Sequence, residues 1–194
     1  MNAKDTGVAH SLAQGHASER YTWQAMALHW MIAALILFML WLGWSLEDIP
    51  RNTPARGFYV NLHKSIGVLV LTLVVLRLLW RLRHRPPALP ASMAGWEMRV
   101  AHITHWLLYA CILIQPLSGY IASAYSKYGV KFFGIPVSPP GLRGEAVSDF
   151  FGEVHGVNAT VLAVLVALHV LAAFKHLLID RDDIFQRMLP RHRR

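Results

Sequence analysis

The sequence predicts an all-α integral membrane protein: a four-helix up-down-up-down bundle with both termini cytoplasmic. Three observations carry that expectation. Of 194 residues, 55% are hydrophobic and only 15% charged, whereas soluble domains carry about 25% charged residues. Mean hydropathy is +0.36. Four apolar runs, at about 24–44, 60–80, 101–124 and 154–174, each approach the roughly 20 residues that cross a bilayer as a helix. Such spans leave little chain over, so residues 1–194 read as a single membrane domain.

The first helix is expected to begin near 21–24 and to end near 44, ahead of Glu47-Asp48-Ile49-Pro50. The opening segment is polar, and the first apolar run is too long and too aromatic for a cleaved signal, so it reads as a permanent span. The second helix, 58–83, stops ahead of Pro86-Pro87. The third, 97–124, contains Pro116, whose kink neighbouring helices can accommodate. The fourth covers 148–178. The connection 125–149 is the longest and is rich in Gly and Pro, the natural place for a lid or partner surface. An amphipathic turn is expected around Ile184, Phe185 and Met188. Cys111, the only cysteine, excludes an internal disulfide and reads as a small packing residue within a span.

The formal charge is +8, but its distribution argues against nucleic acid. Thirteen of the 19 Lys and Arg residues fall on the side shared by both termini and the 81–99 loop. The other side holds six: Arg51, Arg56, Lys64, Lys127, Lys131 and Arg143. That asymmetry places both termini in the cytoplasm. The clusters at 81–85 and 191–194 then need only anionic membrane lipid as a partner.

Histidine placement carries the functional reading. His155 and His169 lie fourteen residues apart in one apolar stretch. At about 100° and 1.5 Å per residue, they share a face roughly 21 Å apart along the axis. Ionisable side chains at membrane depth are costly and mark functional sites. Of the eleven histidines, His10, His16, His84 and His192 fall in polar segments and read as solvated. His29 matches His169 in depth on the inner side, and His63 matches His155 on the outer side. Two pairs at two levels is the arrangement that bis-histidine haem ligation requires of a bundle. Taken singly, each of these histidines has an equally good reading as a hydrogen-bonded structural or interfacial residue.

His102 and His105 point broadly the same way near the inner end of the third helix. They are candidates for haem propionates, for a quinone pocket, or for plain interfacial positions, and His176 sits at the inner boundary. A metal site of His102, His105, His169 and His176 is a weaker grouping because it lacks carboxylates or cysteines at depth. Gly43, Gly67, Gly119 and Gly156 suit close helix packing. Gly67, one turn after His63, is the candidate that leaves room for a porphyrin. Arg77 lies near the inner level and can pair with a propionate or snorkel to headgroups. The tryptophans Trp23, Trp30, Trp44, Trp80, Trp96 and Trp106 mostly mark helix ends, as in an aromatic belt.

The segments YTWQAMALHW, NLHKSIGVLVLTLVVLRLLWRL and AHITHWLLYACILIQPLSGY, with VHG, ALH and DRDDIFQRMLP following in order, resemble the bacterial cytochrome b561 family across nearly the whole chain. The resemblance implies two b-type haems (haem b, iron) in a bacterial inner membrane. It assigns one haem to His29 and His169 and the other to His63 and His155. It further implies single-electron transfer between a periplasmic donor and membrane quinone. The well-studied type it looks like is a superoxide oxidase, passing an electron from superoxide to ubiquinone. The 125–149 connection matches no motif of the family. Lys64, Lys127, Lys131 and Arg143 would attract an anionic donor, with Glu47, Asp48, Glu145, Asp149 and Glu153 partly offsetting them. Two other classes remain: a haem-bearing anchor relaying electrons for a partner dehydrogenase or hydrogenase subunit, and a haem-free transporter of metal or protons.

Overall fold

The computed structural model describes residues 20–84, 86–88 and 93–190. The expectations for Lys4, His10, His16, Arg85, Arg191, His192, Arg193 and Arg194 lie outside these. Four helices dominate: α1 (Trp23–Asp48), α2 (Pro54–Arg83), α3 (Gly95–Tyr125) and α4 (Glu145–Lys175). Each is long and apolar enough to cross a membrane. Sequence neighbours pack against one another in series, giving the up-down-up-down order.

Local chemistry sets the helix starts. Thr22 caps α1 by accepting from the Ala25 amide at 3.3 Å. Thr53 caps α2 by accepting from the Arg56 amide at 3.2 Å, and Pro54 follows within the first turn, where its missing N–H costs nothing. Helix α2 thus begins four residues before the expected 58. Helix α4 likewise begins at Glu145 rather than 148, because its first turn continues beyond the apolar span with an acidic residue at its N-terminus. The Arg56 guanidinium donates to the Ile49 carbonyl at 2.7 Å and to the Leu46 carbonyl, satisfying the open end of α1.

Between α3 and α4 a two-stranded antiparallel hairpin, β1 (Lys131–Phe132) with β2 (Ile135–Pro136), pairs Phe132 with Ile135. It is pinned to α2. The Ser65 hydroxyl accepts from the Phe133 amide at 2.9 Å, and Lys64 Nζ donates to the Gly129 carbonyl at 3.0 Å. We call this the hairpin end of the bundle. At the opposite, terminal end, α4 passes into a π-helical turn, His176–Asp180, and the chain folds back through a short 3-10 turn, Gln186–Met188. That tail crosses beneath α1: Trp30 Nε1 donates to the Met188 carbonyl at 2.8 Å, and Arg187 donates to the Ala88 carbonyl at 2.6 Å.

The core is a thin apolar layer of Ile32, Ile36, Val70, Val74, Cys111 and Leu162. Leu162 and Val74 are fully buried. Outward faces are apolar too, with Trp41 61% and Leu171 64% exposed. A helix apolar on all sides needs lipid rather than water around it, and helix contacts within lipid rest on close packing.

Candidate functional site

Fourteen residues of α4 carry His155 and His169 to two levels, and each meets an imidazole from another helix. At the terminal end the rings of His29 (α1) and His169 (α4) lie 6.3 Å apart at 73°. At the hairpin end those of His63 (α2) and His155 (α4) lie 6.1 Å apart at 77°. Leu162, seven residues from each α4 histidine, sits at 0% exposure between the levels, about 10 Å along the helix from either. A dry apolar layer therefore separates two polar sites.

The terminal-end pair has further company. Arg77 Nη2 lies 3.2 Å from His29 Nδ1, and Nη1 donates to the Ala25 carbonyl at 3.2 Å. The guanidinium is thereby drawn into the bundle at the level of His29. His105 stands 5.4 Å from His169, ring to ring, and donates from Nδ1 to its own helix at Ala101. The structure does not bring His102 to this group: its ring is exposed and held by the Met98 carbonyl, beside Arg99 and Ile103. His176 also turns elsewhere. Its Nδ1 lies 2.7 Å from Asp182 and 3.1 Å from Asp180, within a network that includes Lys175 and Glu97. The four-histidine metal grouping therefore does not form.

At the hairpin end a cavity of about 520 Å³ opens beside the imidazoles, lined by Gly43, Gly67, Gly119, Gly156 and Lys64 among others. Its size falls in the range of cofactor sites. The tight approaches are not at Gly67, where an added Cβ would meet only Met39 at 3.8 Å. They are at Gly43, where it would meet His63 at 3.3 Å, and at Gly119, where it would meet His155 at 2.8 Å. The partner across the helix interface decides this, not proximity in sequence.

Two residues that the sequence reading passed over complete the site. His155 donates from Nδ1 to the Gln115 carbonyl at 2.8 Å, and its Nε2 lies 3.3 Å from Gln115 Nε2. Asn158, buried in α4, donates to Gln115 Oε1 at 2.6 Å and to the Cys111 carbonyl at 3.0 Å. The available signal was polarity at depth: an amide buried in an apolar span must find partners.

This donor set suits haem iron, which takes an axial imidazole on each face. The cavity wall of glycines leaves space beside the His63–His155 pair, and His63 Nδ1 is buried without a hydrogen-bond partner. Among the described residues, no cysteine lines that cavity and Glu47 is its one carboxylate.

A bundle of apolar spanning helices with imidazoles paired across it defines the class: a membrane protein built to hold haem. The chain matches the family model for prokaryotic cytochrome b561 over residues 20–191. It belongs to that family, is a membrane electron-transfer protein of bacterial origin, and takes b-type haem as its cofactor. It is 33% identical to cytochrome b561 homolog 2 of Escherichia coli (strain K12) over 172 residues, 88% of this chain and 92% of that protein. Cytochrome b561 homolog 1 of the same organism is 28% identical over 178 residues, 90% and 99% of the two chains. A probable superoxide oxidase CybB of Yersinia pestis is 24% identical over 178 residues, 90% and 98% of the two chains.

Proposed function

We propose that this chain is a di-haem cytochrome of the bacterial inner membrane that oxidises superoxide on the periplasmic side and reduces ubiquinone. The observation that carries the proposal is the pairing of four imidazoles, from three helices, at two levels of one bundle. His29 and His169 would hold one haem, and His63 and His155 the other. Haem b supplies reversible one-electron exchange at its iron.

The surrounding residues do the rest. The apolar layer around Leu162 keeps water out between the levels. Gly43 and Gly119 let the helices approach the imidazoles. Lys64 places a cation beside His63, on the side where an anionic donor would arrive. Arg77 and His105 place donors beside the terminal-end pair, which we assign as the side of quinone reduction. The reaction balances when two superoxide anions yield two dioxygen molecules and two electrons, and ubiquinone takes these with two protons to give ubiquinol. The name carried by the Yersinia pestis relative supports superoxide as the donor.

The test is the purified protein in detergent, assayed for haem per chain and for superoxide-driven ubiquinol formation. Two haems and turnover without other protein are expected, with one haem lost in His169→Ala. Two haems without turnover would make the chain a relay subunit for a partner dehydrogenase or hydrogenase. Wild type without haem would end the reading.

A further inference from the structure

We propose that Gln115 and Asn158 are positioning residues for His155, fixing its tautomer and ring orientation so that Nε2 is the nitrogen offered to haem iron. The inference rests on His155 being a haem ligand and goes further by naming what holds it.

One carbonyl sets the orientation of the whole network. The Cys111 carbonyl can only accept, so the Asn158 atom 3.0 Å from it is the amide nitrogen. The second N–H of that nitrogen points at Gln115, 2.6 Å away, and needs an acceptor there. Gln115 therefore turns Oε1 toward Asn158 and its NH2 toward His155 Nε2, 3.3 Å away. An amide NH2 only donates, so Nε2 must carry its lone pair rather than a proton. Independently, His155 Nδ1 lies 2.8 Å from the Gln115 carbonyl, which only accepts, so Nδ1 carries the proton. Two unrelated contacts select one tautomer. It is the one an Nε2-bound metal needs, with the far nitrogen donating to a carbonyl. The contact at Nε2 is long and weak, so iron can replace it, while the Nδ1 bond is short and lies away from the coordinating atom.

The pair also lacks any other polar tether among the described residues: His63 Nδ1 is buried without a partner. Asn158 is itself 9% exposed and lies three residues after His155 on α4, so the network ties α4 to α3 beside the ligand. At the terminal-end pair a different device, Arg77, contacts the ring of His29. Loosening Gln115 or Asn158 should thus act on one haem only.

The experiment follows haem transfer from the detergent-purified holoprotein to apomyoglobin, together with low-spin electron paramagnetic resonance of each haem. The variants are Asn158→Leu and Gln115→Met. His155→Ala serves to mark the hairpin-end signal, and two haems retained in that variant would defeat the ligand assignment itself. We expect the hairpin-end haem to leave several-fold faster, short of the roughly 10- to 100-fold that follows loss of a ligand's direct partner, because both variants keep the Gln115 carbonyl on Nδ1 and lose only the side-chain tie that aims it. Its resonance should broaden or shift, with the other haem unchanged. Unchanged loss and resonance in Gln115→Met, or equal loosening of both haems, would overturn the proposal. Gln115→Met decides if Asn158→Leu does not accumulate, since it leaves the Asn158–Cys111 bond in place.

Discussion

Arg77 Nη2 lies 3.2 Å from His29 Nδ1, joining α2 to α1 beside His169. A guanidinium donates and cannot accept, so His29 Nδ1 accepts here and the ring proton stands on Nε2. A haem held through Nε2 would need that proton on Nδ1, and Arg77 would then act as a nearby positive charge rather than as a hydrogen-bond partner. In a low-dielectric bundle that charge favours the reduced, more negative state of any redox centre it faces. Replacing Arg77 by Leu should lower the midpoint potential of the haem assigned to His29 and His169. A unit charge about 8–16 Å from the redox centre, one imidazole beyond this contact, amounts at an effective dielectric near 20 to about 1–2 kcal/mol, or roughly 50–90 mV. Arg77→Lys should recover part of the shift. Redox titration of both variants checks this, and a potential unmoved in Arg77→Leu would remove Arg77 from the site.

Gly119 and Gly67 make a matched contrast. An added Cβ at Gly119 falls 2.8 Å from the His155 ring, whereas at Gly67 it meets only Met39 at 3.8 Å. Gly119→Ala must push the imidazole off its position, so loss of one haem per chain is expected. Gly67→Ala displaces no ligand imidazole and should fold with a gain of up to about 1 kcal/mol from better helix propensity. Loss of haem there would show that the ring lies against Gly67, which lines the same cavity. Haem content and thermal unfolding of the two variants give the comparison.

The spans and the histidine levels were legible because both follow from simple periodicity. Apolar length reports the bilayer, and fourteen residues return a side chain to the same face. Residues whose roles depend on a partner helix were not legible. Nothing adjacent to Gln115 or Asn158 in the chain says that they meet, and nothing adjacent to Gly43 or Gly119 says that they approach His63 and His155 from another helix. His102 and His105 show the same limit. Three residues apart, they differ by about 60° around the axis, enough to bring one ring to His169 and leave the other beside Arg99 and Ile103. The hairpin at 131–136 escaped because two-residue strands carry no alternation to detect.

The C-terminal tail is held by a few separate hydrogen bonds to the main chain and side chains it crosses. Trp30 Nε1 donates to the Met188 carbonyl at 2.8 Å. Trp30→Phe keeps the ring and removes the donor, at a cost of about 1 kcal/mol. A drop in Tm of roughly 2–4 °C is expected for a chain of this size. Trypsin should also cut sooner at Arg181 and Arg187. Unaltered cleavage would mean that the tail is held by its apolar contacts instead.

Orientation in the membrane follows from charge and can be tested without any redox measurement. Tyr21 donates from its amide to the Arg187 carbonyl at 3.4 Å, so the start of α1 and the C-terminal tail share one end of the bundle. Arg20, Arg77, Arg81 and Arg187 gather at that end, and the positive side of a membrane protein stays in the cytoplasm. A green fluorescent protein fused after Arg194 should fluoresce, and alkaline phosphatase fused there should be inactive. Alkaline phosphatase inserted at Gly141, in the connection that follows the hairpin and where φ is +82°, should be active. The opposite pattern would place His63, His155 and Lys64 on the cytoplasmic side, and superoxide from the periplasm would then face Arg77 and His105. Such a result would exchange the donor and quinone ends while leaving both imidazole pairs intact.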